Sequence, residues 1–133
     1  MNGVAKPRVG DVVEIALPDG RYAYGRVLKD ASVAIYDTVS DLPRQAPVGS
    51  RGFQFVVGVY QDVLKHLPVV AHDASRDADD EWPPPFRVTD VLTGSNSIYH
   101  RGEMRPAASG EAGDLEPAGV WDLGQIVDRI VSA

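Results

Sequence analysis

The stretch Asp11-Val12-Val13-Glu14-Ile15-Ala16-Leu17-Pro18-Asp19-Gly20-Arg21-Tyr22-Ala23-Tyr24-Gly25-Arg26-Val27-Leu28 decides the fold class of this chain. Val13, Ile15 and Leu17 alternate with their neighbours, the period-two pattern that puts every second side chain on one face of a strand. Pro18-Asp19-Gly20 interrupts the run. The proline presets one φ and the glycine accepts a positive one, so the chain turns tightly. The return run 21–28 then pairs with the first to form a β-hairpin.

Working outward, Ala31–Asp37 reads as a third strand. A proline- and glycine-containing loop, 41–49, leads to a fourth strand over Phe53–Tyr60. That run is apolar on nearly both faces, which suits a central position. Asp62–His66 fits one helical turn, and Leu67–Ala71 a fifth strand with its proline near the start. Residues 73–85 hold five acids and three consecutive prolines, a composition that belongs in a loop. Phe86–Asp90 and Ser97–Arg101 follow as short strands, and the Gly/Ala/Ser-rich segment 106–114 reads as a mobile loop.

The C-terminus changes period. Leu123, Ile126, Val127, Ile130 and Val131 make one apolar helical stripe. Asp122 can cap its start, and Gln125 can reach back to complete a capping box. These elements predict a mainly β (α+β) fold in one domain, residues 1–133. They form a small antiparallel, strongly bent sheet or an SH3-like partly open barrel. Hairpin 11–28 lies at one edge and helix 122–132 packs on the sheet.

The 133 residues contain no cysteine, which excludes disulfides and thiolate chemistry and fits a cytoplasmic protein. Residues 1–7 lack an apolar run of signal-peptide length, and no run is long enough to span a membrane. The net charge of −6 is unevenly placed. Residues 1–72 hold eight Lys/Arg against seven Asp/Glu, whereas 73–133 hold five against twelve. Such an acidic half repels phosphate backbones and argues against a nucleic-acid partner. It either attracts a basic protein or serves solubility alone.

Sequence motifs for chemistry are absent. His66, His72 and His100 lack helical metal-site spacing, and the acids of 73–81 lack the ligand pattern of an EF-hand loop. There is no Gly-x-Ser-x-Gly and no phosphate-binding glycine loop. The expectation is a non-enzyme with no catalytic residues, no metal and no cofactor. Carboxylate pairs that meet only in the fold stay open at this stage.

Two groups are candidate partner contacts. Tyr22 and Tyr24 share one hairpin face with Arg26, residue types enriched at binding hot spots. The alternative is that these rings cover one side of a small barrel with their hydroxyls in water. The second group is Asp77, Asp79, Asp80 and Glu81 beside Trp82, an acidic loop with an aromatic anchor. Its alternative is a merely solvated loop.

The opening Gly10-Asp11, its alternating strand, the Pro18-Asp19-Gly20 turn and the Tyr22-Ala23-Tyr24-Gly25-Arg26 return resemble the immunity protein 26 family of polymorphic-toxin loci. So do Ile35-Tyr36-Asp37 and the stretch Leu115-Glu116-Pro117-Ala118-Gly119-Val120-Trp121-Asp122 with Arg129. Between them, Pro85-Phe86 and Tyr99-His100-Arg101-Gly102 stand in fitting order, so the resemblance runs from about residue 9 to 131. It implies a mostly β protein that binds and neutralises a toxin, with no catalytic residues to carry over. The same opening also suits an SH3-like small-barrel adaptor or a nucleic-acid-binding module, the latter expecting a basic face.

Overall fold

A computed structural model describes residues 6–132. The expected hairpin is present: β1 (Asp11–Ala16) pairs antiparallel with β2 (Tyr22–Leu28), Ile15 opposite Ala23. Gly20 takes a φ of +86° in the turn, and its N–H donates to the Leu17 carbonyl at 3.0 Å. β3 (Ser32–Tyr36) and β4 (Phe53–Val59) continue the meander. A short helix α1 (Gln61–Lys65) leads to β5 (Val69–His72). β6 (Phe86–Thr89), β7 (Asn96–His100) and β8 (Glu103–Pro106) form a separate antiparallel sheet. β9 (Val120–Trp121) and helix α2 (Leu123–Ser132) close the chain.

The main sheet has the order β5-β1-β2-β3-β4-β9, which corrects two expectations. First, the hairpin is not at an edge. Val12 and Val13 of β1 are wholly buried, and the backbone groups on that side of β1 need partners, which β5 supplies. Second, the sheet is mixed rather than antiparallel, because β9 runs parallel to β4. Gly58 of β4 makes that approach possible, since a Cβ there would lie 2.8 Å from the Gly119 carbonyl oxygen. As expected, the sheet stays open: β5 and β9 are its two ends and do not pair with each other. β8 and β9, short and without strong alternation, were not legible in the sequence. The 106–114 segment, expected as a mobile loop, folds back on Glu111, whose carboxylate accepts from the Arg105 guanidinium and from Ala108 N–H.

The core sits between one sheet face and α2. Val13, Ile15, Val27, Val33, Ile35, Val57 and Val59 pack there against Leu64, Ile126 and Ile130. Both halves of the capping box form, Gln125 N–H to Asp122 Oδ1 at 2.8 Å and Asp122 N–H to Gln125 Oε1 at 3.0 Å. Glu116 grips Arg129 through two bonds of 2.8 and 2.9 Å, and that guanidinium stacks on Phe55, 4.1 Å from the ring centroid. The opposite sheet face carries Val12, Tyr24 and Tyr36, covered by the segments after β3 and β5.

Candidate functional site

Period two places Tyr22, Tyr24 and Arg26 on that second face, as expected, but the face is not open. Tyr24 and Arg26 are both 0% exposed, and Tyr22 is half-buried. The Tyr24 hydroxyl, expected in water, donates to Glu14 Oε2 at 3.2 Å and accepts from Gln45 N–H at 2.9 Å. Burial raises its pKa. A wholly covered Tyr24 is framework in this conformation, because the 41–50 segment packs over its ring face.

Arg26 ties the acidic segment 73–82 to the sheet. Its Nε donates to the Asp73 carbonyl at 3.1 Å, Nη1 to the Asp80 carbonyl at 2.9 Å and Nη2 to Ser75 Oγ at 2.9 Å. A guanidinium wholly removed from water costs several kcal/mol unless its donors are satisfied, so the segment must follow the shape Arg26 imposes. Lys29 N–H adds a backbone bond to the Glu81 carbonyl at 2.8 Å.

Arg51 completes the network. It donates to Asp80 Oδ2 at 2.8 Å, to both Asp73 oxygens at 3.1 Å and to the Ala74 carbonyl at 3.1 Å. Those bonds from Arg51 hold the Asp80 carboxyl at about 2, below its ordinary 3.8. Burial pushes Asp73 up, but bonds from Tyr36, Gly49 N–H and Arg51 outweigh it and its pKa falls. Burial, then the Asp73 carboxylate beside it, raises the Tyr36 hydroxyl. Neither Tyr36 nor Arg51 carried a sequence signal for this role. Arg51 lies in a Gly-Ser-Arg-Gly loop, and only the fold brings it to residues 73–80.

The candidate residues of the acidic loop therefore divide. Asp80 is structural, with its carboxylate turned to Arg51 and Arg26. Glu81 pairs with Lys29 at 3.2 Å, and Asp79, whose side chain is 82% exposed, with Arg101 at 2.8 Å. Asp77 is exposed and accepts Asp80 N–H at 2.9 Å. Four cations from three other parts of the chain thus face the acids, and the loop carries less excess negative charge than its sequence suggests. Trp82 is half-buried, between Lys29 Nζ at 5.2 Å and Arg101 Cζ at 5.4 Å from its ring centroid. An open groove of about 270 Å³ runs beside it, lined by Leu28, Phe53, Val56, His100 and Arg101 among others.

His72 Nδ1 lies 2.9 Å from Asp11 Oδ1, and His66 Nδ1 2.6 Å from the Asp62 carbonyl. Among the described residues no three His, Asp or Glu side chains are grouped closely enough to hold a metal. No helix among them is long and apolar enough to cross a membrane.

The family model described as Immunity protein 26 matches residues 8–50, the family that the opening motif resembles. The match takes in β1, β2 and β3 and the loop that covers Tyr24. It stops before Arg51, so the Glu116–Arg129 region lies outside it. No curated protein and no solved structure matches the chain.

Proposed function

We propose that this protein is an immunity protein, binding a bacterial toxin by protein–protein contact and so neutralising it. The observation that carries the reading is the match of residues 8–50 to the immunity family, over the strands that build the core. The mostly β fold agrees with what that resemblance implies. The loop 73–82 supports the location of an interface. Its backbone is held by buried Arg26 and by half-buried Arg51, so its outward side chains are presented in a fixed arrangement, and binding loses little loop entropy.

Asp77, Asp79 and Glu81, with Trp82, are then the partner contacts, and Asp80 positions them from beneath. Tyr22, at the half-buried rim of the sheet, is a secondary contact. A basic toxin suits the chain's net charge of −6, because electrostatic steering accelerates association. The partner is a protein rather than a nucleic acid, for the same electrostatic reason.

The test is co-expression with the toxin domain encoded beside this gene. Wild type should restore growth. The variant Asp77→Lys/Asp79→Lys/Trp82→Ala leaves Asp80 in place and should lose protection, with a slower association rate at low salt. If wild type gives no protection, the immunity reading is wrong. If the variant protects equally, the interface is elsewhere.

A further inference from the structure

Val91 and Leu92 stand at the tip of the β6–β7 hairpin, 95% and 91% exposed, further into solvent than any other large apolar side chain among the described residues. The tip is built, not frayed. Asp90 Oδ1 accepts Leu92 N–H at 2.8 Å and Thr93 N–H at 3.1 Å. Gly94 N–H donates to the Asp90 carbonyl at 2.8 Å with Gly94 at a φ of +73°, and Asp90 N–H donates to the Ser95 carbonyl at 2.9 Å. Two adjacent aliphatic side chains are therefore held out in a fixed direction. The chain on either side of them is polar, with Thr89 and Asp90 before and Thr93 and Ser95 after. An apolar centre with a polar rim is the anatomy of an interface hot spot.

Charge says what covers it. Asp90 is the one formally charged residue between 88 and 99. Residues 87–129 hold seven carboxylates against four arginines, and Arg101, Arg105 and Arg129 are already paired, with Asp79, Glu111 and Glu116. A second copy would bring like charges together, whereas a partner with a cationic rim around an apolar pocket gains on both counts. The tip also lies outside residues 8–50, in the part of the chain the family model does not describe, where a partner-specific contact is free to differ. We propose that Val91 and Leu92 are the apolar anchor by which this protein enters a pocket on its basic toxin, an inference that rests on the immunity reading above. Eight residues, Pro83 to Asp90, separate Trp82 from Val91, and at ~3.3 Å per residue they span at most about 30 Å. One standard interface of ~800 Å² per partner can cover both ends.

The experiment uses the Val91→Ser/Leu92→Ser variant of the full chain. Neither side chain supports the core, so circular dichroism and Tm should match wild type. Binding to the toxin domain encoded beside this gene is measured by calorimetry for both proteins. The proposal expects the variant to bind about 30-fold more weakly or worse, mainly through faster dissociation. Equal affinity in the two proteins overturns the anchor while leaving the immunity reading standing. A wild type that does not bind overturns both. A dimer of wild type in light scattering that the variant dissolves makes a second copy the occupant, and also overturns the proposal.

Discussion

Arg51 closes on Asp80 with two nearly parallel bonds, Nη2 to Oδ2 at 2.8 Å and Nε to Oδ1 at 3.1 Å. One residue comes from the loop before β4, the other from the acidic segment after β5. Their pairing, on top of buried Arg26, turns a run of acids into a shaped surface.

Asp80→Asn should therefore destabilise the protein by about 2–3 kcal/mol, the range for a mostly buried bond to a charged group. Asp79→Asn, one residue away but exposed, should change stability by less than about 0.5 kcal/mol. Urea unfolding of the two variants checks the contrast. Equal effects would mean that Asp80 is no more embedded than its neighbour.

The pH dependence follows with a definite sign. The Asp80 carboxyl is held at about 2 in the folded chain against an ordinary 3.8. A depressed folded pKa contributes stability that is complete above the unfolded value and is lost as pH falls through the folded one. The urea midpoint should thus decline as pH drops from 4 toward 2, with Asp73 acting in the same direction. In Asp80→Asn the decline should be shallower. A variant curve parallel to wild type would remove Asp80 from the account.

Arg26→Met keeps an unbranched side chain but deletes three donors, to Asp73, Asp80 and Ser75. The prediction is a loss of loop order without unfolding of the core. Hydrogen exchange should quicken at Asp73 and Lys29, whose amides donate to Gly10 and Glu81. The amide of Ile35 should keep its protection. Faster exchange everywhere would mean that the loop and the core unfold as one unit.

Gly58→Ala should cost about 1–3 kcal/mol, as overpacking does. The added Cβ would meet the Gly119 carbonyl at 2.8 Å, backbone that cannot swing aside. Ile126→Ala, on the buried stripe of α2, should cost about 2–5 kcal/mol by leaving a cavity. Thermal unfolding of both variants reads these effects, and a Gly58→Ala protein as stable as wild type would show that β9 can move away freely.

The local pattern of the sequence was enough for the hairpin 11–28, the strands through Val59 and the capped C-terminal helix. In each, neighbouring residues carry the signal: alternation, a Pro-Asp-Gly turn, a capping box. The resemblance to the immunity family was read from about residue 9 to 131, and the family model matches its opening, residues 8–50. Sheet order was not legible. Whether β5 covers β1, or β9 runs beside β4, depends on which strand edge remains unpaired after collapse, and no neighbour in sequence encodes that. The site shows the same division. The acids at 77–81 and Trp82 could be read as a group, but their meaning depended on Arg26, Lys29, Arg51 and Arg101, all distant in sequence. Only tertiary structure decided that Asp80 and Tyr24 are framework and that Asp77 and Asp79 face solvent, because burial and charge pairing are set by what the fold brings within a few ångströms.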